Sequence, residues 1–299
     1  MPPTRLILRS FLMLVPFFAL LFSACSSSNT SLDTSGTAEG RYEKALAEYG
    51  KGDYEDAIVE LEPVMFTSRG SALEDDVLFL LGQSFYKSKQ YLLAIDIYTR
   101  LLQQVPSSVY IQQTQFQLAK SHEKLSTHFE LDHEHTEKAI QQFSLYLNMY
   151  ASGPDSAQAA GNVNRYRELM ATDPANSSYR ECYVLAQAEA ENADSRQYAE
   201  RAIGILREKL AKKVYFIAHQ YIQLRKYKAA GIYYDEVIRH YSDTSYLEPA
   251  LRGRINVLIK RKKWFEAGQA LDQYLQAYPD RSAQMQDERD KIMKNFTNS

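Results

Sequence analysis

Cysteine is nearly missing from this chain. Cys25 and Cys182 are the only two in 299 residues, so no internal disulfide framework holds the fold and Cys182 reads as a buried or idle thiol. Glycine and proline are scarce too, at twelve and nine. There is no glycine-rich phosphate loop, no nucleophile elbow and no Ser, His and Asp constellation, so the chain is expected to be no enzyme and to need no cofactor. Neither sign of charge dominates, with 35 basic residues against 37 acidic ones, which argues against nucleic acid as a partner. The longest apolar run, 11–22, is too short to span a bilayer. What the sequence does have is 45% hydrophobic and 24% charged content, enough for a folded body with a real core, and 22 tyrosines. That profile favours helices with sticky, amphipathic surfaces.

The first residues have the layout of an export signal: Arg5 and Arg9, the apolar run, then Ser23 and Ala24 before Cys25. The ending Leu21, Phe22, Ser23, Ala24, Cys25 resembles the bacterial lipobox, with Phe22 where Leu is usual. That resemblance implies cleavage before Cys25 and acylation of its thiol, and each buried methylene of such chains is worth roughly 0.8 kcal/mol. Ser26 rather than Asp follows, which by the sorting rule of such lipoproteins implies the outer membrane. Residues 26–40 are small and polar, cannot offset the entropy of ordering them, and read as a tether reaching on the order of 20 Å.

Beyond the tether, apolar residues recur with a helical period, and the pattern itself repeats. Gly52, Tyr54, Ala57 and Leu61 form a first set, and Leu81, Gly82, Phe85, Tyr91, Ala94, Tyr98 and Pro106 a fuller second one. Leu118, Ala119, Ala139 and Phe143 give a third, interrupted by an enlarged connection at 126–135. Ile217, Ala218, Tyr221, Tyr227, Ala230 and Tyr234 give a fourth, and Leu258, Trp264, Ala267, Leu271 and Pro279 a fifth. The marker alanines are separated by 37, 45, 91 and 37 residues. This resembles the tetratricopeptide repeat, a helix pair of about 34 residues whose small residues let the two helices approach. The expected fold is all-α, a tetratricopeptide-repeat solenoid of about five helix pairs with an extra-helix insertion. Its division is a signal at 1–24, a lipidated tether at 25–40, repeats one to three at 41–151, extra helices and a lead-in helix at 152–205, repeats four and five at 206–281, and a capping helix and tail at 282–299.

Repeat equivalence also groups candidate binding residues. Three residues before the small position of the first helix stand Tyr42, Phe79, Phe116 and Tyr215, and four after it Tyr49 and Tyr86. The row reads either as a ladder gripping an extended or β-prone peptide, or as rings that pack between neighbouring helices. His122, His128, Asp132, His133, Glu134 and His135 are dense enough to suggest zinc or nickel, but their spacing is that of no closed site, and a solvated polar loop is expected. The run Lys260, Arg261, Lys262, Lys263 reads as a solvated turn or as a contact with an acidic partner or lipid headgroups.

The lipobox, tether and repeats, together with residues 206–244, resemble the BamD family, outer-membrane lipoproteins of the β-barrel assembly machinery. The matching places are Leu206 and Arg207, Leu210 and Ala211, Ala229 and Ala230, and the turn Tyr241, Ser242, Asp243, Thr244. Ser242 stands where Pro is usual, 170–194 is an insertion, and Tyr233 occupies a place where a basic residue is common. The resemblance implies a non-enzymatic, lipid-anchored scaffold at the outer membrane, facing the periplasm. Its amino-terminal repeats would engage unfolded outer-membrane proteins, and its carboxy-terminal repeats the periplasmic part of a BamA-like barrel protein, with Tyr233 a place of altered partner contact. Two other readings stand beside it: a periplasmic repeat lipoprotein serving envelope division or peptidoglycan enzymes, and, more remotely, a metal-dependent enzyme on the His-rich loop.

Overall fold

The computed structural model describes residues 36–296. The signal, the acylation site at Cys25 and most of the tether lie outside them. Among the described residues there are twelve α-helices, one 3₁₀ helix and no strand. They are α1 (Ala38–Lys51), α2 (Tyr54–Thr67), α3 (Glu74–Lys87), α4 (Tyr91–Gln104), α5 (Ile111–Leu125), α6 (Glu134–Met149), α7 (Ser156–Thr172), α8 (Ser177–Gln223), α9 (Tyr227–His240), α10 (Leu247–Lys260), α11 (Trp264–Ala277), the 3₁₀ helix Pro279–Met285 and α12 (Gln286–Phe296). Helices adjacent in the chain pack on each other except at one step, where α6 packs on α8 rather than on α7, and the fold is an all-α solenoid of helix pairs.

The pairing follows from small residues at the seams. Ala57, Ala94, Ala139, Ala230 and Ala267 all have no exposed surface. On the same helices large rings reach toward the neighbouring helices: Tyr98, Phe143, Tyr146 and Tyr274 are almost wholly buried. Backbone and ring come so close that a Cβ on Gly82 would lie 2.5 Å from Tyr98 Cε1, and one on Gly253 would overlap the Tyr234 ring.

Four repeats also stop their first helix in the same manner. Gly52, Lys89, Arg225 and Lys262 take left-handed φ values of 92, 64, 57 and 60°. The amide that follows each one donates back to a carbonyl five residues earlier: Asp53 to Glu48, Gln90 to Phe85, Lys226 to Tyr221, Lys263 to Leu258. This closure satisfies carbonyls that the helix end would leave unpaired, and it reverses the chain for the second helix. An aromatic residue then opens that helix each time: Tyr54, Tyr91, Tyr227, Trp264.

Two boundaries differ from the sequence reading. Helix α1 begins at Ala38, ahead of the tether end taken at Gly40, because Thr37 Oγ1 accepts the Gly40 amide at 3.0 Å and Glu39 sits in the first turn. Position 206, taken as the start of the fourth repeat, lies inside the 47-residue α8. Lead-in helix and first repeat helix are one rod roughly 70 Å long. Beside α8, the insertion adds one complete helix, α7.

The carboxy-terminal half of α8 grips the next repeat through side chains that the resemblance had singled out. Arg207 Nε donates to Asp243 Oδ2 at 2.6 Å, its Nη2 donates to the His240 carbonyl at 2.7 Å, and its guanidinium lies 5.6 Å from the Tyr241 ring. Glu208 accepts the Ser245 amide at 2.6 Å.

Glycine substitutions should separate packing from helix propensity. Gly82→Ala gains about 1 kcal/mol of propensity but meets the Tyr98 ring, and overpacking of about 1–3 kcal/mol or more outweighs it. Gly204, mid-α8 with nothing within 4 Å of its would-be Cβ, carries no such cost. Urea melts should show Gly82→Ala destabilised and Gly204→Ala stabilised by about 0.5–1 kcal/mol.

Candidate functional site

The rings of the first three repeats converge on one groove. Tyr49, Phe79, Tyr86 and Phe116 line a concavity of about 540 Å³ together with Gln83, Gln112, Gln113 and Gln117. Its far wall is not a repeat but α8, which contributes Glu191, Asn192, Asp194 and Ser195. The rings are held by neighbours rather than loose: Phe79 stacks on Tyr110 at 4.3 Å, Tyr49 meets Tyr54 edge-on at 5.2 Å, and Tyr86 meets Tyr91 edge-on at 5.5 Å. Phe116 sits among Phe143, Tyr146 and Tyr198. These four rings of the row thus pack against neighbours and also line the groove.

At the inner end of the groove stands Lys120. Its ammonium lies 5.0 Å from the Tyr198 ring centre, 5.5 Å from that of Phe116 and 5.7 Å from that of Tyr86. Burial pulls its pKa below the usual lysine range, offset in part by Glu123. Tyr198 donates its hydroxyl to Glu123 Oε2 at 2.7 Å, and burial together with that bond raises the phenol well above its ordinary range. Tyr86 is pushed up to about 12, chiefly by burial. All these phenols stay neutral at physiological pH and can donate hydrogen bonds. Gln117 Oε1 is shielded and has no partner, which leaves an unsatisfied acceptor in the groove lining.

The other proposed binding residues lie elsewhere. Tyr42 packs against the first core and does not line the groove. Tyr215 belongs to a second concavity of about 460 Å³, with His219, Tyr234, Glu248, Arg252 and Asn256. Tyr233 is outside both and stacks on Tyr221 at 5.4 Å, tying α9 to α8. The six residues spaced as one row thus divide between two sites and a core. Sequence reasoning missed Lys120, Tyr198 and the α8 wall. Lys120 could have been found, four residues after Phe116 on one helix face. The α8 residues come from the insertion, which has no repeat equivalent to compare.

The His-rich segment is the solvated loop expected at His128, Asp132 and Glu134, which are exposed, but not at its histidines that turn inward. His122 and His133 are 6% and 4% exposed. His122 Nδ1 and His135 Nδ1 are 3.0 Å apart, and His133 bonds Thr136 Oγ1 at 3.2 Å and the Phe129 carbonyl at 2.7 Å. The reason is tertiary: Lys209 and Lys213 of α8 donate to Ser126 Oγ and to the Leu131 carbonyl, which draws the connection onto the rod. Among the described residues no three His, Cys, Asp or Glu side chains are grouped to hold a metal ion.

A family model for the tetratricopeptide repeat matches residues 76–108, which span most of α3 and all of α4 and include Phe79 and Tyr86. No curated protein matches the chain. Among solved structures, a tetratricopeptide repeat protein from Parabacteroides merdae ATCC 43184 is similar at 14% identity, with 86% of this chain and 98% of that chain covered and a TM-score of 0.32. Tetratricopeptide repeats act in protein–protein interaction, and the groove lies across the matched repeat.

Burial of His122 makes stability depend on pH. Its pKa falls from 6.5 to about 4, through burial first and then repulsion by His135. Above pH 6.5 neither folded nor unfolded chain is protonated there, so nothing is lost. Between 6.5 and 4 the unfolded chain gains a proton that the folded one refuses, and stability should drop by up to roughly 3 kcal/mol. Urea melts of His122→Gln across this range should show a shallower slope than the parent.

Proposed function

We propose that the chain is a non-enzymatic scaffold that grips an extended polypeptide in the groove of its first three repeats. The carrying observation is the composition of that groove: the rings Tyr49, Phe79, Tyr86, Phe116 and Tyr146, four glutamine amides, and polar residues from α8. An extended strand points side chains to alternate faces and leaves its backbone groups free. Rings take the side chains, amides take the backbone, and selection by sequence is weak. Such a site suits unfolded outer-membrane barrel chains, whose strands alternate apolar and polar residues and carry aromatic girdles.

In this reading Cys25 carries lipid and holds the protein on the periplasmic face of the outer membrane. The carboxy-terminal repeats, stiffened by the Arg207 to Asp243 clamp, dock a BamA-like barrel protein. The second concavity around Tyr215 and Arg252 is the surface offered to that partner.

Two measurements test it. In fluorescence anisotropy with a labelled peptide of alternating aromatic and polar residues, Tyr49→Ala with Tyr86→Ala should weaken binding about tenfold or more, while circular dichroism shows the helices intact. Unchanged binding would sink the groove assignment. Tagged protein purified from detergent-solubilised outer membranes should bring down a BamA-like barrel protein; recovery of cell-wall enzymes instead would favour the envelope-division reading.

A further inference from the structure

The turns joining the two helices of a repeat are mixed in charge at the amino-terminal end of the solenoid, where Lys51, Lys87 and Lys89 stand with Asp53, and wholly basic at the carboxy-terminal end. Between the turns of repeats one and two is a depression of about 290 Å³ whose charged lining is Asp53, Glu55 and Asp56. Its counterpart between repeats four and five, about 560 Å³, is lined by Arg225, Lys226, Lys228 and Arg261, with no acid among the lining residues. Lys260, Lys262 and Lys263 adjoin it, and among the described residues Lys263 alone of these seven cations has an ion pair, with Glu266 at 3.2 Å. The side chains of the four lining cations make no hydrogen bond or ion pair among the described residues.

Bare aliphatic side chains accompany the charge. Leu224, beside Arg225, is 63% exposed, and Ile232, in the lining itself, is 55% exposed. We propose that this edge docks peripherally on an anionic phospholipid surface. In such a surface negative headgroups lie directly over hydrocarbon, so both halves of the patch find a match at one depth. Long lysine and arginine stems let the charged heads reach the headgroup plane while Leu224 and Ile232 enter the boundary below it. An acidic polypeptide would answer the charge but has no matching layer for the aliphatics. Contact is at the surface only, since no described helix is long and apolar enough to cross a membrane. The inference stands independently of the groove's occupant.

Trp264, the chain's only tryptophan, directly follows Lys263 and reports on this edge even when another part of the chain already holds it to the vesicle. The full chain is mixed with vesicles bearing dansyl-labelled headgroups, made of phosphatidylcholine alone or with phosphatidylglycerol added. Energy transfer from Trp264 should rise roughly twofold or more on the anionic vesicles at about 0.1 M salt and return to the neutral value at about 0.5 M. Lys226→Gln, Lys228→Gln and Arg261→Gln together, all at exposed positions, should abolish the rise, each cation being worth about fivefold in partitioning. No rise with the parent chain, or a rise that survives the triple substitution, overturns the proposal. So does a shift of Trp264 emission with polyglutamate but not with anionic vesicles, which would make an acidic polypeptide the occupant.

Discussion

Helix α8 runs 47 residues without a proline, and it serves successive neighbours along its length. Ala186 and Ala193 are buried in its first half, Ala199, Ala202 and Leu206 join the core of the third repeat, and Val214 and Ala218 join that of the fourth. An isolated helix gains little stability from its own propensity, so these buried small residues keep it straight and continuous. They also decide what the groove is. Glu191, Asp194 and Ser195 form its far wall only because the same rod is anchored further on in the repeats. A kink near Gly204 would separate wall from rings.

The repeats were readable because packing imposes small residues at regular intervals, and Ala57, Ala94, Ala139, Ala230 and Ala267 are wholly buried where that spacing put them. The helix join at 206 was not readable. A repeat helix that continues an earlier one has no cap, and Leu206 is preceded by an apolar helical run with nothing to mark a boundary. The groove was half legible. Rings at equivalent positions announced Phe79, Tyr86 and Phe116, whereas Tyr198 and its bond to Glu123 depend on a contact across 75 residues. The local sequence around His133 is polar enough to suggest solvent, and side chains of α8, the lysines and Phe216, hold the connection against the rod.

The two halves of the solenoid use different chemistry. The first three repeats present rings and uncharged amides, with Lys120 half-buried among the rings and its charge supported by Glu123. Contacts of that kind are tolerant of sequence and weakly sensitive to salt. The last two repeats present ions: a clamp in which Arg207 holds Asp243, and the cationic turns. Contacts there are specific in geometry or steeply salt-dependent. A scaffold that held varied chains at one end and a fixed orientation at the other would need this division.

The rod links the two. Groove wall and cationic turn occupy the same helix, the first at Glu191 to Ser195 and the second just past its end at Arg225. Between Ser195 and Gln223 lie 28 helical steps, roughly 42 Å at 1.5 Å each. A continuous helix anchored to successive repeats along this length curves only gently, so whatever lies in the groove keeps a nearly constant offset from whatever meets the turns. If the turns rest on a headgroup plane, a polypeptide in the groove is carried several nanometres along the solenoid from that contact, and its distance from the surface is set by the tilt of α8 rather than by the length of a tether.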